Sequence, residues 1–394
     1  VWNATAPAEA PAYPLSVSAD GRWLEDASGA PFDVNGDTGW SLMVQLDRSD
    51  ARTYLCDRGA KGVNLVLASL IEHAFSDQSP AWLNRAGEAP FTASLGSGSL
   101  DFTQPNAVYW RHVDWILREA HRFGITLLAL PSYVGYRLGD QGWAAEIVDN
   151  GTSGMQSYGA YLADRYGSYP NVIWSMGGDW GPTRGSTDLT AEINALAEAL
   201  ATNDPQHLMT AHAARNESSL DEYDEPWLQI NASYSDSDDV HREVRTSRQD
   251  TPVLPTFLIE ARYGNEASMT DLGLRTQMWQ AVLGGGFGHI YGNAPTWYFS
   301  SSSGRQFADT PGLDWKAQLD SLGAQYLEHV AALQAVRDLS ALAPDYAHQV
   351  VTGGYDPGGG EDEDYAPVMA GRRVLVAYTR GQSLSVDTGQ LEAG

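Results

Sequence analysis

Two acidic residues close apolar runs of one design. Asn171-Val172-Ile173-Trp174-Ser175-Met176 breaks on Gly177-Gly178 and presents Asp179, with Trp180 behind it. Val253-Leu254-Pro255-Thr256-Phe257-Leu258-Ile259 closes on Glu260, followed by Ala261-Arg262-Tyr263-Gly264. Short apolar runs bounded by glycine read as buried strands, so each carboxylate falls just past the C-terminal end of a strand. An acid in such a place is costly unless it is partnered or used. Helix capping or ion pairing is the competing role for each. As a pair they supply what glycosidic cleavage needs: one carboxyl protonates the leaving oxygen, the other attacks the anomeric carbon or activates water. A gap of about 5–5.5 Å between them gives retention and one of about 6.5–9.5 Å gives inversion.

The elements that must position these acids alternate along the chain. Strands are expected within Phe32–Trp40, which ends in a polar-aromatic loop, and at Gly62–Leu70, Ile125–Leu130, Asn171–Met176, His207–His212, Trp227–Ala232, Val253–Ile259 and Gly286–Gly292. Helices are expected at Asp47–Ala60, Pro105–Phe123, Gly154–Tyr166, after Asp188, and over Asp238–Arg248, Met269–Leu283 and Asp314–Val336. In the second of these, Tyr109, Val113, Ile116, Leu117 and Ala120 recur at three- and four-residue spacings. Residues 76–103 are rich in Gly, Ser and Pro and read as a loop decorating a site. Strands alternating with helices imply parallel pairing, and eight such units fit an α/β fold of the (β/α)8 TIM-barrel type. Asp179 and Glu260 then follow strands four and seven, on opposite sides of the barrel mouth. An open doubly wound sheet predicts a GxGxxG loop after the first strand, and Gly36-Asp37-Thr38-Gly39 lacks that spacing.

The expected organisation is a flexible N-terminal segment over 1–14, a barrel with an N-terminal hairpin over 15–338, and a small β-sandwich-like domain over 339–394. In the last, Arg373–Thr379 and Ser383–Asp387 alternate around Arg380-Gly381. Glu361-Asp362-Glu363-Asp364 reads as a solvated acidic loop; a calcium site there lacks the EF-hand ligand spacing.

Other strand-end residues are candidates for holding a sugar, since hydroxyls call for acids and amides and sugar faces for aromatics. They are Asp37 and Trp40 after strand one, Glu72 and His73 after strand two, and Tyr133 after strand three. Trp180, His212, Asn231 and Tyr234 follow strands four to six, and Tyr263, Tyr291 and Asn293 follow strands seven and eight. Asp37, in a glycine loop beside Thr38, suits two vicinal hydroxyls best.

Taken together, Phe32-Asp33-Val34-Asn35-Gly36-Asp37-Thr38-Gly39-Trp40, the run Asn171–Asp179, and Glu260 with Tyr263-Gly264 resemble the apiosidase-like barrel family of glycoside hydrolases. Members pair such a barrel with a C-terminal domain often labelled collagen-binding, which the tail from Leu339 resembles more loosely. The resemblance implies that Asp179 is the acid/base and Glu260 the nucleophile of a retaining reaction. It also implies an activity like the family's characterised one, removal of the branched pentose apiose from a pectic side chain. The expectation is a retaining exo-glycosidase acting on a pentose or furanose of a plant or microbial polysaccharide, with no cofactor and no metal.

Two alternatives remain at this stage. One is a barrel that binds carbohydrate without cleaving it. The other is a metal-dependent hydrolase using His73, His212 and His289, although no HxH or HExxH spacing joins them. The absence of a Gly-X-Ser-X-Gly elbow argues against a serine hydrolase.

Composition narrows the partners. Fifty Asp and Glu stand against 24 Lys and Arg, a formal charge of -26, with lysine only at Lys61 and Lys316. No basic run exists to neutralise phosphates, so neither nucleic acid nor an anionic membrane is expected as a partner. No apolar run approaches the roughly 18 residues of a membrane span. The single cysteine, Cys56, excludes an internal disulfide and is expected to be buried and inert. The start Val1-Trp2-Asn3-Ala4-Thr5-Ala6-Pro7 reads as a mature terminus left after leader removal, which gives the expectation of a secreted or periplasmic protein.

Overall fold

A computed structural model describes residues 10–266, 269–305, 310 and 312–392. Most of the expected flexible segment, residues 1–9, lies outside the described residues. A two-stranded hairpin, Ser16–Val17 with Leu24–Glu25, opens the chain. Eight parallel strands follow: β1 (Val34–Thr38), β2 (Leu65–Ser69), β3 (Thr126–Leu130), β4 (Val172–Gly177), β5 (Met209–His212), β6 (Asn231–Ser235), β7 (Thr256–Ala261) and β8 (Gly288–Tyr291). They pair in the order β6-β7-β8-β1-β2-β3-β4-β5, which is a (β/α)8 TIM barrel. The helices between them are α1 (Arg48–Ala60), α2 (Ala107–Arg122), α3 (Ala144–Tyr166), α4 (Thr190–Asn203), α5 (Ser219–Glu222), α6 (Val240–Gln249) and α7 (Asp271–Leu283), and α8 (Leu322–Val336) follows β8.

Local chemistry explains the boundaries. Asp47 caps α1 through the amides of Ser49 and Asp50, Asn106 caps α2 through Val108, and Thr270 caps α7 through Gly273. α2 buries the stripe expected of it, with Trp110 added. α3 starts ten residues earlier than its pattern suggests and breaks at Gly151, where φ is +60°. The single helix expected over 314–336 is split in two: Trp315–Gln318 ends before Ser321, whose Oγ caps α8. β6 begins four residues later than its apolar run. Trp227 instead packs beside α4, its Nε1 donating to Asn194 Oδ1 at 3.0 Å. Cys56 is exposed rather than buried, because α1 turns Tyr54, Leu55, Arg58 and Gly59 inward.

The barrel closes between β5 and β6 by an unusual route. At the bottom, the amides of Gln229 and Ile230 both donate to Met209 O. Higher up, the segment 217–219 is wedged between the strands. Ser219 Oγ donates to Ala211 O at 2.5 Å and accepts from the Ala232 amide at 2.9 Å, while Thr210 Oγ1 donates to Ile230 O. Two buried hydroxyls thus stand in for a ladder. Ser219→Ala leaves a buried amide unpaired and is expected to cost about 1–3 kcal/mol by chemical denaturation; an unchanged midpoint would show that backbone contacts alone hold the seam.

The C-terminal residues form two small antiparallel sheets. β9 (Ala343–Pro344), β11 (Val368–Ala370) and β12 (Leu375–Ala377) make one, and β10 (Val351–Gly353) with β13 (Ser385–Val386) makes the other. The two alternating runs around Arg380-Gly381 contribute strands to different sheets. Side-chain contacts tie them to α6 and α7 of the barrel. Tyr378 lies on Trp279 and bonds Thr276, Gln280 Nε2 donates to Asp362 O, and Arg245 pairs with Glu361. The acidic loop is divided among cations, since Arg380 takes Glu363 and Asp364. Among the described residues no three His, Cys, Asp or Glu are grouped to hold a metal ion.

Candidate active site

β4 delivers Asp179 through three consecutive left-handed residues: Gly177 (φ +77°), Gly178 (φ +119°) and Asp179 itself (φ +58°). A Cβ on Gly178 would stand 2.3 Å from Tyr133 Cδ2, and one on Gly177 would stand 2.5 Å from the Tyr223 hydroxyl, so only glycine fits at either. The turn aims the Asp179 amide at His212 Nδ1, 3.0 Å away. Its carboxylate meets the Tyr133 hydroxyl at 3.3 Å and Arg215 Nε at 3.7 Å.

β7 delivers Glu260 by a different device. Ser233 pairs with Leu258 but Tyr234 pairs with Glu260, so Ile259 is an extra residue, a β-bulge. In a regular strand one face recurs every two residues. Here Leu258 and Ala261, three apart, both pack in the helix-side cluster with Val240, Val244 and Ala281. The bulge absorbs the odd spacing and turns Glu260 into the mouth. Tyr234 donates to Glu260 Oε1 at 3.2 Å, and His212 Nε2 lies 2.6 Å from Oε2.

His212 therefore joins the two acids. An amide N–H only donates, so Nδ1 accepts from Asp179 and the ring proton sits on Nε2, facing Glu260. Burial opposes a second ring proton, while the hydrogen bond and charge of Glu260, then the charge of Asp179 and the Ala213 carbonyl 3.1 Å from Nδ1, favour it, and the balance raises the imidazole's pKa. Burial, then the charge of Glu260, pushes Asp179 up to about 6 against the opposing pull of His212, Arg215 and Tyr133.

Both carboxylates line one recess of about 300 Å³. Trp40, Tyr133 and Tyr263 line it with them; Trp40 Nε1 donates to the Tyr263 hydroxyl at 2.9 Å. Five further lining residues escaped the sequence reading: Phe75, Gln141, Arg215, Glu266 and Trp297. Glu266 accepts from Trp297 Nε1 at 3.1 Å and is pushed up to about 7, chiefly by burial. An acid six residues past Glu260 and a tryptophan after β8 were the available signals. Arg215, Phe75 and Gln141 sit in loops whose paths no pattern gives.

The other candidates stand elsewhere. Asp37 faces outward from β1, fully buried, where it accepts from Arg58 Nε and the Tyr54 hydroxyl. It is an internal counter-ion, not a sugar ligand, because odd positions of β1 point to the helices. Glu72 is buried and takes Ser41 Oγ and the amides of His73 and Ala74. His73 is held by Asp140 O and Glu146. Trp180 turns away to Thr183 O and stands edge-on to Tyr136. Asn231 is the first residue of β6, at the wrong end of the barrel, and bonds Ser247 O and Asp250. Tyr291 reaches Ser321 beside α8. Asn293 accepts from Thr296 Oγ1 and, through its carbonyl, from the Trp297 amide, which fixes the turn that carries Trp297. His73, His212 and His289 share no site: His289 is buried apart, its pKa pushed down to about 3 by desolvation.

The family model for the apiosidase-like catalytic domain matches residues 18–340. A glycoside hydrolase family 5 structure from Bacteroides vulgatus ATCC 8482 superposes with a TM-score of 0.81 at 24% identity, over 96% of this chain and 82% of that one. A second structure, described as a glycoside hydrolase, gives 0.80 at 26% identity, over 96% and 86%. A family 5 mannosidase from Rhizomucor miehei shares the fold at a TM-score of 0.53 and 13% identity, over 80% of this chain and 99% of that one. No curated protein matches the sequence.

Proposed function

Since the chain belongs to the apiosidase-like catalytic-domain family and is a glycosidase, we propose that it is a retaining, exo-acting hydrolase that removes a pentose or furanose residue from a polysaccharide side chain outside the cytoplasm. The observation that carries this reading is the pair Asp179 and Glu260 in one recess, joined by His212. Glu260, with donors on both oxygens, attacks the anomeric carbon. Asp179, whose raised pKa keeps it protonated further up the pH scale, gives its proton to the leaving oxygen. A glycosyl ester on Glu260 results. Asp179, now a carboxylate, takes a proton from water as the water's oxygen displaces Glu260. A single small recess supports release of a terminal residue, and its aromatic walls suit a sugar face.

The test is product release from aryl pentosides, aryl hexosides and pectic oligosaccharides, with the anomer of the first product read by NMR. Retention with release of a pentose supports the reading. Inversion removes the nucleophile role, and binding without turnover removes the catalysis.

The pH profile follows from the acid. Activity requires Asp179 protonated, so kcat/KM is expected to fall as pH rises through about 6. Arg215 lowers the Asp179 pKa, so Arg215→Gln should move that limb to higher pH. A shift to lower pH, or none, would exclude Asp179 as the titrating acid.

A further inference from the structure

Glu266 is an acid for which the two-carboxyl reaction has no use. It is the third carboxyl in the recess of about 300 Å³ that holds Asp179 and Glu260. Backbone bonds fix its place. The Gly264 amide donates to Gly292 O and Gly264 O accepts from the Ala294 amide, each at 2.9 Å, so β7 and β8 stay paired beyond their ends. Asn265 turns the chain at φ +67°, its Nδ2 donating to Ala294 O at 2.7 Å and to Gln318 Oε1 at 2.8 Å. The Glu266 carbonyl accepts from the Met269 amide at 2.7 Å. A side chain on so fastened a turn is aimed rather than loose.

The carboxyl itself is half engaged. Trp297 Nε1 donates to Oε1 at 3.1 Å, while Oε2 has no hydrogen-bond partner among the described residues. Burial, and after it the charge of Glu260, raises the pKa to about 7 against the pull of Trp297 and Arg215. Since Oε1 accepts from the indole, the proton of the acid form sits on Oε2, which then both donates and accepts. Asp179 is protonated below about 6, so Glu266 is neutral over the same range and adds no charge beside the nucleophile.

The order of strands decides which part of a substrate meets it. β8 lies across the ring from β4. A group held between the loops after β7 and β8 therefore stands away from the leaving oxygen that Asp179 protonates, on the side of the sugar being removed. Trp297 lines the recess as well, so a ring face and a polar contact come from one pair of loops. We propose that Glu266 is a specificity-determining residue: Oε2 makes a hydrogen bond with one hydroxyl of the sugar being removed, and that hydroxyl has to be unsubstituted. A residue carrying another sugar on that oxygen is refused, which gives cleavage at a chain end a structural cause. The inference rests on this recess being the active site, as proposed above, and not on the sugar, its anomer or the stereochemical course.

The test is kcat/KM for wild type, Glu266→Ala and Glu266→Gln on the aryl glycoside that wild type cleaves fastest and on each of its monodeoxy and mono-O-methyl derivatives. Glu266→Ala is expected to lose roughly tenfold or more on the parent. One deoxy position should cost wild type as much and cost Glu266→Ala nothing further, while the other positions keep their full effect in both. Methylation of that same hydroxyl should lower the wild-type value at least as far. Glu266→Gln still accepts from the indole and offers an N–H in place of the Oε2 proton, so it should recover the parent rate to within a few-fold with the same selectivity. The matching aryl thioglycosides, which resist cleavage, are titrated into the three proteins by calorimetry. A barrel that binds without turnover then gives the same ratios, and only the catalytic assignment fails. The inference is overturned if Glu266→Ala matches wild type on the parent, if its loss adds independently to that of every deoxy position, or if no thioglycoside distinguishes the two.

Discussion

Glu260→Ala is expected to lower turnover roughly 10⁴-fold or more, because loss of a nucleophile removes the covalent route outright. Added azide should then restore part of the rate with inverted configuration. Azide enters the space Glu260 vacates, bonds the anomeric carbon from that face, and the glycosidic oxygen leaves with the Asp179 proton. Asp179→Ala should behave differently. An aryl glycoside with an acidic leaving group needs no proton, so the glycosyl ester still forms on Glu260, and azide intercepts it to give a product of retained configuration. The ring of donors around each acid supports these separate roles: Tyr234 and His212 hold Glu260, whereas burial and the neighbouring charge keep Asp179 a proton carrier. Retained product from the Glu260 variant, or inverted product from the Asp179 variant, would reverse the assignment.

Asp37→Asn is expected to destabilise the barrel by about 3 kcal/mol, since it strips the buried Arg58 guanidinium of the carboxylate on its Nε and leaves it Asp57 alone. That corresponds to a fall in Tm on the order of 10 °C. Both side chains are fully shielded, Tyr54 shares the carboxylate, and Arg58 also donates to Leu319 O beside α8, so the pair fastens β1 to the helical layer. Replacing both charges, as in Asp37→Leu with Arg58→Met, should recover much of the loss, because desolvation of the ions disappears with them. A sugar ligand at position 37 would give the opposite pattern: an intact Tm and a raised KM. Calorimetric scans of the three variants beside their kinetics separate the two.

The contrast between Asp37 and Glu260 shows what a sequence can carry. Alternation of strand and helix is a property of local apolar periodicity, and it reached the correct barrel with both acids at strand ends. Which way a strand-end side chain points depends on parity, and parity is lost wherever one residue is inserted or a boundary slips. Asp37 lies in a regular strand and faces the helices. Glu260 would face them too but for the bulge at Ile259, which no apolar pattern marks. At Asn231, a frame four residues out exchanges the bottom of the barrel for its mouth. Cys56 failed for a related reason: partners distant in sequence decide which face of α1 is covered, as they decide which strand Ser385–Val386 meets. Arg215, Glu266 and Trp297 reach the recess on loops, whose course is set by the elements they cross rather than by their own residues.

The hydroxyls at the β5–β6 closure have a bearing on how such a site diversifies. His212 ends one of those strands and Tyr234 lies on the other, and both grip Glu260. Across the other seven junctions the interstrand distance is a constant of backbone geometry, about 4.8 Å wherever amides meet carbonyls. At this one junction, above the Met209 carbonyl, the strands meet through side-chain hydroxyls instead. The gauge of the catalytic mouth is thereby placed under the control of single codons, so a lineage can widen or narrow the grip on its nucleophile without rebuilding the cylinder that supports it.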